Sequence, residues 1–281
     1  MISMDFTLST YRLLLDSLIS KGYSFYTVEQ FLQVSDSLNQ SRNRLCVIRH
    51  DVDKLPYNSL LTAKIESSLG ISGTYYFRIV PEIYNIDIMK EIENLGHEIG
   101  YHYEDVDLAA RKLKARENGL TRQELIDEAY CSFCKNLEIF RKDFIIKTIC
   151  MHGSPLAKFD NRIIWEKYNY KNLELTGESY FDIDWNKAAY FTDTGRKWNG
   201  DNVSVRDKVN STYNFNFKTT YNIINNLNKL PDQMMITIHP QRWNDNVLYW
   251  TKELIGQSGK NIIKRYFYVK NKRKNFEILQ S

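Results

Sequence analysis

The chain has little of what cross-links or anchors a protein. Four cysteines in 281 residues do not suggest a disulfide framework. Cys46 and Cys150 sit in apolar runs, where a small buried thiol is the expected reading. Cys131 and Cys134 have CxxC spacing, but inside a predicted helix, with no second pair and no strand before them. Neither a redox pair nor a zinc knuckle is expected there. No apolar run approaches the length of a membrane span. Met1-Ile2-Ser3-Met4-Asp5 shows neither a basic region nor a long apolar one of signal-peptide type, so the expected compartment is the cytoplasm. An excess of one charge is missing too. With 38 basic and 34 acidic residues, the net charge of +4 does not imply nucleic acid. What is present is a 43% hydrophobic fraction, ample for a core. The 14% aromatic share is read as compositional bias before sugar-stacking surface.

Strand and helix patterns alternate along the chain. A helix is expected over 7–21, stopped by Gly22, and a short one over 27–32 capped by Thr27. Strands are expected over 44–49, 73–79, 98–101 and 145–151, with helices over 57–69 and 87–95 between them. A long polar helical region covers 107–141 and restarts at Thr121-Arg122-Gln123-Glu124, a capping-box pattern. Farther on, 161–168 and 217–230 read as helices, 187–192, 202–206 and 234–238 as strands, and 249–279 as mostly helical. No linker or repeat divides the chain. The expectation is one domain over 1–281, with a core over 44–240, an N-terminal helical extension over 1–43 and a C-terminal helical region over 241–281. Such alternation predicts a parallel sheet covered by helices, with working residues at the carboxyl ends of its strands.

Histidine is scarce and unevenly placed. All five fall at predicted strand ends: Arg49-His50-Asp51-Val52-Asp53, Gly96-His97-Glu98-Ile99-Gly100-Tyr101-His102, Met151-His152-Gly153 and Thr237-Ile238-His239-Pro240. Four of the five prolines (Pro56, Pro81, Pro155 and Pro240) follow strands as well. Side chains without a role would scatter; these suggest one site assembled from several strands, and an enzyme. On a strand, Arg49, Asp51 and Asp53 share a face. Two carboxylates so close need a cation or a proton between them; an Asp-rich helix cap is the plain alternative. His97 and His102 are five apart with Gly100 between, which disfavours a zinc-binding helix. On a strand they point to opposite faces. His97 is then structural and His102 the better ligand.

These segments resemble the polysaccharide deacetylases of carbohydrate esterase family 4. His50-Asp51-Val52-Asp53 is similar to the family's first motif in its Asp-x-Asp form. The stretch from Gly96 to His102 resembles the lead-in to the second, and Gly73–Phe77 the aromatic second strand. Asp182-Ile183-Asp184-Trp185 is similar to its Asp-x-x-Asp-Trp motif with one residue fewer, and Ile236-Thr237-Ile238-His239 to its last. The resemblance spans about 44–239. It implies an α/β fold, a single distorted (β/α)7 barrel with extra N- and C-terminal helices, and a divalent metal ion, most simply zinc. It further implies Asp51 as general base, Asp53 and His102 as metal ligands and His239 as general acid for the leaving amine. A zinc-type ion lowers the pKa of bound water from about 15.7 toward about 7, and the two side chains move the protons.

Two departures stand out. The family's second metal histidine belongs four residues after His102, where this chain has Val106. Its Arg-Pro-Pro-Tyr-Gly-like motif is replaced by Met151-His152-Gly153-Ser154-Pro155. His152 is the expected substitute ligand, Glu104 or Asp105 the alternative, and weakened metal binding the plain outcome. For substrate contacts, Arg78 and Arg242 are candidates for an anionic group, and Trp185 and Trp243 for stacking on sugar faces. Without a visible export signal, a sugar precursor or a nucleotide- or lipid-linked intermediate is the expected substrate. The basic, aromatic-rich stretch 260–274 is either a helix face packed on the barrel or peripheral contact with an anionic membrane. Asp193-Thr194-Gly195 copies an aspartic-protease tripeptide without a second copy and reads as a turn. The expected activity is removal of an acetyl group from an N- or O-acetylated sugar. A carbohydrate-binding pseudoenzyme and a hydrolase of other non-peptide C–N bonds are the alternatives.

Overall fold

The computed structural model describes residues 4–38, 44–113, 121–153, 159–198 and 209–278. Its elements run α1 (Leu8–Ser20), β1 (Tyr23–Tyr26), α2 (Val28–Leu38), β2 (Arg44–Val52), α3 (Pro56–Ser68), β3 (Thr74–Phe77), α4 (Ile86–Asn94), β4 (Glu98–Tyr103), α5 (Asp105–Leu113), α6 (Arg122–Arg141), β5 (Thr148–Met151), β6 (Gly177–Glu178), β7 (Ala189–Thr192), α7 (Thr220–Ile224), β8 (Gln233–Ile238) and α8 (Val247–Ile278). This is an α/β fold. Seven strands form a curled parallel sheet, a half-barrel in the order β6-β5-β4-β3-β2-β8-β7. β1 lies beside the first half of β2, pairing Tyr23 with Arg44, and β3 beside the second half, pairing Asp51 with Tyr76. The N-terminal region therefore contributes a strand, where helices alone were expected.

Local sequence explains most boundaries. Thr7 caps α1 by accepting from the Thr10 amide, and Gly22 follows the helix at φ +87°, a conformation that glycine adopts without strain. Thr121 and Glu124 form the reciprocal capping box at the start of α6. The expected helix over 217–230 shrinks to α7 and one 3-10 turn, Leu227–Lys229. That over 161–168 becomes a 3-10 turn, Asn161–Glu166. The 217–230 stretch holds Asn222, Asn225, Asn226 and Asn228, and such side chains compete for backbone hydrogen bonds. The strand expected over 202–206 lies outside the described residues.

β2 is buried along nearly its whole length, and period-two alternation sorts its side chains. Cys46 and Ile48 join Met234, Ile236 and Ile238 of β8 in a core against Leu14, Leu15 and Leu18 of α1. Leu45, Val47 and Met235 enter the other core. Gly100 on β4 is needed for close approach: a Cβ there would sit 2.3 Å from Tyr76 Cε1. The helix α8, Val247–Ile278, agrees with the mostly helical region expected over 249–279. Side chains of its basic stretch beyond Ile262 lie outside the described residues. Among the described residues no helix is long and apolar enough to cross a membrane.

Candidate metal centre

The carboxyl ends of β2, β4, β5, β7 and β8 deliver the polar side chains. Arg49 and Asp51, two apart on β2, share one face. The fully buried guanidinium donates from Nε to Asp51 Oδ1 at 2.8 Å and from Nη2 to Oδ2 at 2.6 Å, and also to Tyr180 Oη at 2.8 Å. Burial pushes the Asp51 carboxyl up, but the charges of Arg49, His102 and His239 outweigh it and hold the group below its usual range. His50, between them, points the other way. It meets Glu66 at 2.6 Å and stacks on Tyr75 with ring centroids 3.9 Å apart.

Asp53 lies just past β2. Its Oδ1 is buried without a hydrogen-bond partner and stands 3.5 Å from both His102 Nε2 and His152 Nε2. One oxygen and two imidazole nitrogens thus converge, all within 4.8 Å of one another. His102 is held by its other nitrogen, which donates to the Cys150 carbonyl at 3.0 Å and leaves the Nε2 lone pair facing Asp53. His152 is fixed as β5 ends: its amide donates to the Tyr103 carbonyl at 2.8 Å, and its carbonyl accepts from Asn161 at 2.8 Å. Glu104 Oε2 lies 3.2 Å from His152 Nδ1. Burial raises the Glu104 carboxyl, but His152 and Arg78 draw it down to about 2.

A second donor set, Asp51, His102 and Cys150, likewise brings its ligand atoms within 4.8 Å of one another. These buried groups too could hold an ion, but Arg49 already occupies both Asp51 oxygens and its charge opposes a cation there. The Asp53 set is the better fit. It offers one carboxylate and two imidazoles, with side-chain exposures of 23% at Asp53 and 14% at His152, so the site is open on one side. Three protein ligands with an open position suit a zinc-type ion.

His239, past the end of β8, closes the other flank. Its Nε2 is 3.8 Å from Asp53 Oδ2, while Nδ1 donates to Asp193 Oδ1 at 2.6 Å. Asp193 is fully buried and accepts three more bonds, from the His239 amide at 3.0 Å, Arg242 Nη1 at 2.5 Å and Trp243 Nε1 at 2.8 Å. The expected turn at Asp193-Thr194-Gly195 is therefore the support of His239.

The sequence-predicted residues divide accordingly. Asp51, Asp53, His102, His152 and His239 come together. His97 is structural, accepting from the Gly73 amide and meeting the Ala63 carbonyl. Trp243 is not a sugar-stacking surface, because its indole is fully buried against Asp193. Trp185 is likewise buried, donating to the Tyr180 carbonyl, and Asp182 accepts from Tyr170 and the Glu178 amide. The Asp182–Trp185 segment therefore makes no hydrogen bond to His239 among the described residues. Arg78 is committed to Glu104 through three hydrogen bonds. Arg242 is committed to Asp193. Asp105 is no ligand: it is turned to Tyr101, Ser132 and Asn136. Sequence reasoning missed Asp193, Arg49 as the partner of Asp51, and Asn161, which also accepts from the Val106 amide. Asp193 had a signal as a strand-end aspartate before a tight turn, and Arg49 as the residue two before Asp51 on the same strand face; Asn161 had none. No protein-family model matches the chain, and neither a curated protein nor a solved structure does.

Proposed function

We propose that this chain is a metal-dependent hydrolase that removes an acetyl group from an N- or O-acetylated sugar. The sheet would be the body of a distorted (β/α)7 barrel of the polysaccharide-deacetylase type. The observation that carries the reading is the partnerless Asp53 oxygen facing two imidazole nitrogens at 3.5 Å. A buried carboxylate oxygen without a partner is costly, and a cation removes that cost. Asp53, His102 and His152 would hold the ion, zinc by donor set. When bound, the ion supplies a Lewis acid for the acyl carbonyl and acidifies water.

The side chains on either flank divide the proton work. Asp51, kept ionised by Arg49, takes a proton from the attacking water. His239 has its Nδ1–H held by Asp193 and presents Nε2 to the site, where it protonates the departing nitrogen or oxygen. A bond from water oxygen to the acyl carbon forms, the acyl carbon–nitrogen (or –oxygen) bond breaks, and acetate leaves. Glu104 and Arg78 set the orientation of His152.

The test is elemental analysis of chelator-stripped and reloaded protein, with acetate release from acetylated oligosaccharides assayed in parallel. One zinc per chain and acetate release are expected, and Asp53→Ala and His102→Ala should abolish both. Sub-stoichiometric binding of every divalent ion, or full turnover in either variant, rejects the reading. Ammonia release without acetate assigns the chain to other C–N hydrolases instead.

A further inference from the structure

Helix α8 is fastened to the body of the protein through one face. The Trp250 indole donates to the Asp5 carbonyl at 2.7 Å, and the Arg196 guanidinium lies 4.8 Å from its ring centroid. Gln257 is buried and donates to Asn261 at 3.0 Å, and Asn261 donates to the Gly195 carbonyl at 3.0 Å. These residues are seven and four apart, hence on one side of a helix of 3.6 residues per turn. The opposite side is apolar. Leu248, Ile255 and Ile262 are seven apart and 79%, 67% and 69% exposed. They stand about 120–160° round the helix from the fastened side. A column of aliphatic side chains this exposed marks a contact surface.

The charge of the same segment decides what covers the column. Residues 247–281 hold eight of the 38 basic residues and two of the 34 acidic ones, which leaves 30 and 32 over 1–246. The segment is therefore +6 and the remainder −2. The whole positive excess of the chain is gathered on one helix. A second copy of the chain is a poor match. A coiled-coil seam needs two apolar positions in each heptad. Three residues after Leu248 and Ile255 come Thr251 and Ser258, and four residues after them Lys252 and Gly259. Two such helices would also set like charges against each other. Nucleic acid would use the basic residues and leave the aliphatic column in water. An anionic bilayer uses both, headgroups meeting the basic residues and the acyl boundary taking the column.

We infer that α8 is a docking surface for an anionic lipid bilayer, on which it lies flat with Leu248, Ile255 and Ile262 inserted. No helix among the described residues is long and apolar enough to cross a membrane, so the contact is with the bilayer surface. Gly195, to which Asn261 is bonded, lies two residues beyond Asp193. The docked helix is thus attached at the end of the sheet that carries the candidate centre. The inference depends on neither the metal nor the hydrolase reading.

The test is co-sedimentation of the full chain with vesicles of phosphatidylcholine alone and of phosphatidylcholine mixed equally with phosphatidylglycerol. Binding to the anionic vesicles should be at least about tenfold tighter and should weaken as salt is raised. The triple variant Leu248→Ser, Ile255→Ser, Ile262→Ser should lose about tenfold or more on the anionic vesicles. Its three sites are exposed, so its urea midpoint should match wild type. Each basic residue near such a surface is worth about fivefold in affinity. Lys252→Gln combined with Lys260→Gln should therefore weaken binding about tenfold or more. No binding to anionic vesicles, equal binding to both kinds, or wild-type binding by the triple variant overturns the inference. Sedimentation equilibrium without lipid is expected to show a monomer. A dimer that the triple variant dissolves overturns the inference and assigns the column to a second copy. Tighter binding of a single-stranded oligonucleotide than of anionic vesicles, unchanged in the triple variant, overturns it in favour of nucleic acid.

Discussion

Replacing Asp193 by asparagine separates the architecture of the centre from its surface charge. Asp193 Oδ1 accepts from the His239 imidazole and from Arg242; Oδ2 accepts from the His239 amide and the Trp243 indole. An asparagine amide, turned either way, sets an NH2 against two donors. It also leaves the buried Arg242 without its counter-charge. Removing one partner of a buried ion pair costs about 3–5 kcal/mol, and each displaced hydrogen bond about 1–3 kcal/mol. These terms overlap, so the expected loss is about 3–5 kcal/mol. It should show as a lower urea midpoint at unchanged slope. Turnover should fall about 10²–10⁴-fold, the usual share of a positioned acid or base. As a control, Trp243→Phe removes one of the four donors to Asp193, about 1 kcal/mol of hydrogen bonding, together with the cavity cost of the smaller ring, and leaves the Arg242 and His239 bonds in place. If Asp193→Asn loses less than about 1 kcal/mol and keeps full turnover, Asp193 does not organise His239 and the proton-transfer assignment fails with it.

Burial raises the Asp105 carboxyl from 3.8 to about 6 despite bonds from Tyr101, Ser132 and Asn136. A raised folded pKa gives stability that is present below the unfolded value and lost as pH rises through the folded one. Wild type should therefore lose roughly 3 kcal/mol relative to Asp105→Asn between about pH 4 and pH 6. Urea unfolding across that range checks it, and parallel curves for the two proteins refute it. Glu178, raised to about 7 mainly by burial, adds a slope of the same sign common to both proteins. Glu104→Gln should weaken zinc binding about 10–100-fold through loss of the charge beside His152, measured by chelator competition. An unchanged affinity would leave Glu104 as a partner of Arg78 alone.

The strand-helix alternation was legible because buried parallel strands and capped helices leave strong local patterns: Thr7, Thr121 and Gly22 marked their boundaries correctly. β1 was not, since Tyr23–Tyr26 is four residues long and is set by its pairing with Arg44–Val47. Within the site, the strand-end rule found Asp51, Asp53, His102, His152 and His239. It overreached with the tryptophans, because a sequence does not say whether an indole faces a sugar or a buried carboxylate. Trp243 faces Asp193. Asp193 itself was passed over because it was matched to a protease tripeptide, while Asp182–Trp185 drew attention through its likeness to an Asp-x-x-Asp-Trp motif with one residue fewer. Its function depends on the pairing of Thr192 with Thr237, which sets the end of β7 beside His239.

That dependence on strand neighbours also bears on Val106. A histidine one helical turn beyond His102 is how the resembling family completes its ligand set, and here that position is a fully buried core residue. β4 and β5 are adjacent parallel strands, with Tyr103 paired to Met151, and neighbouring strands lie about 4.8 Å apart. A ligand moved from the turn after β4 to the end of β5 therefore reaches nearly the same point. His152 does so, with rings of His102 and His152 5.2 Å apart. Position 106 serves the apolar packing of α5, and its backbone is tied through Asn161 to the His152 carbonyl just past β5. Parallel neighbours ending at one level let His152, in the proposed centre, stand where the resemblance places a histidine at position 106.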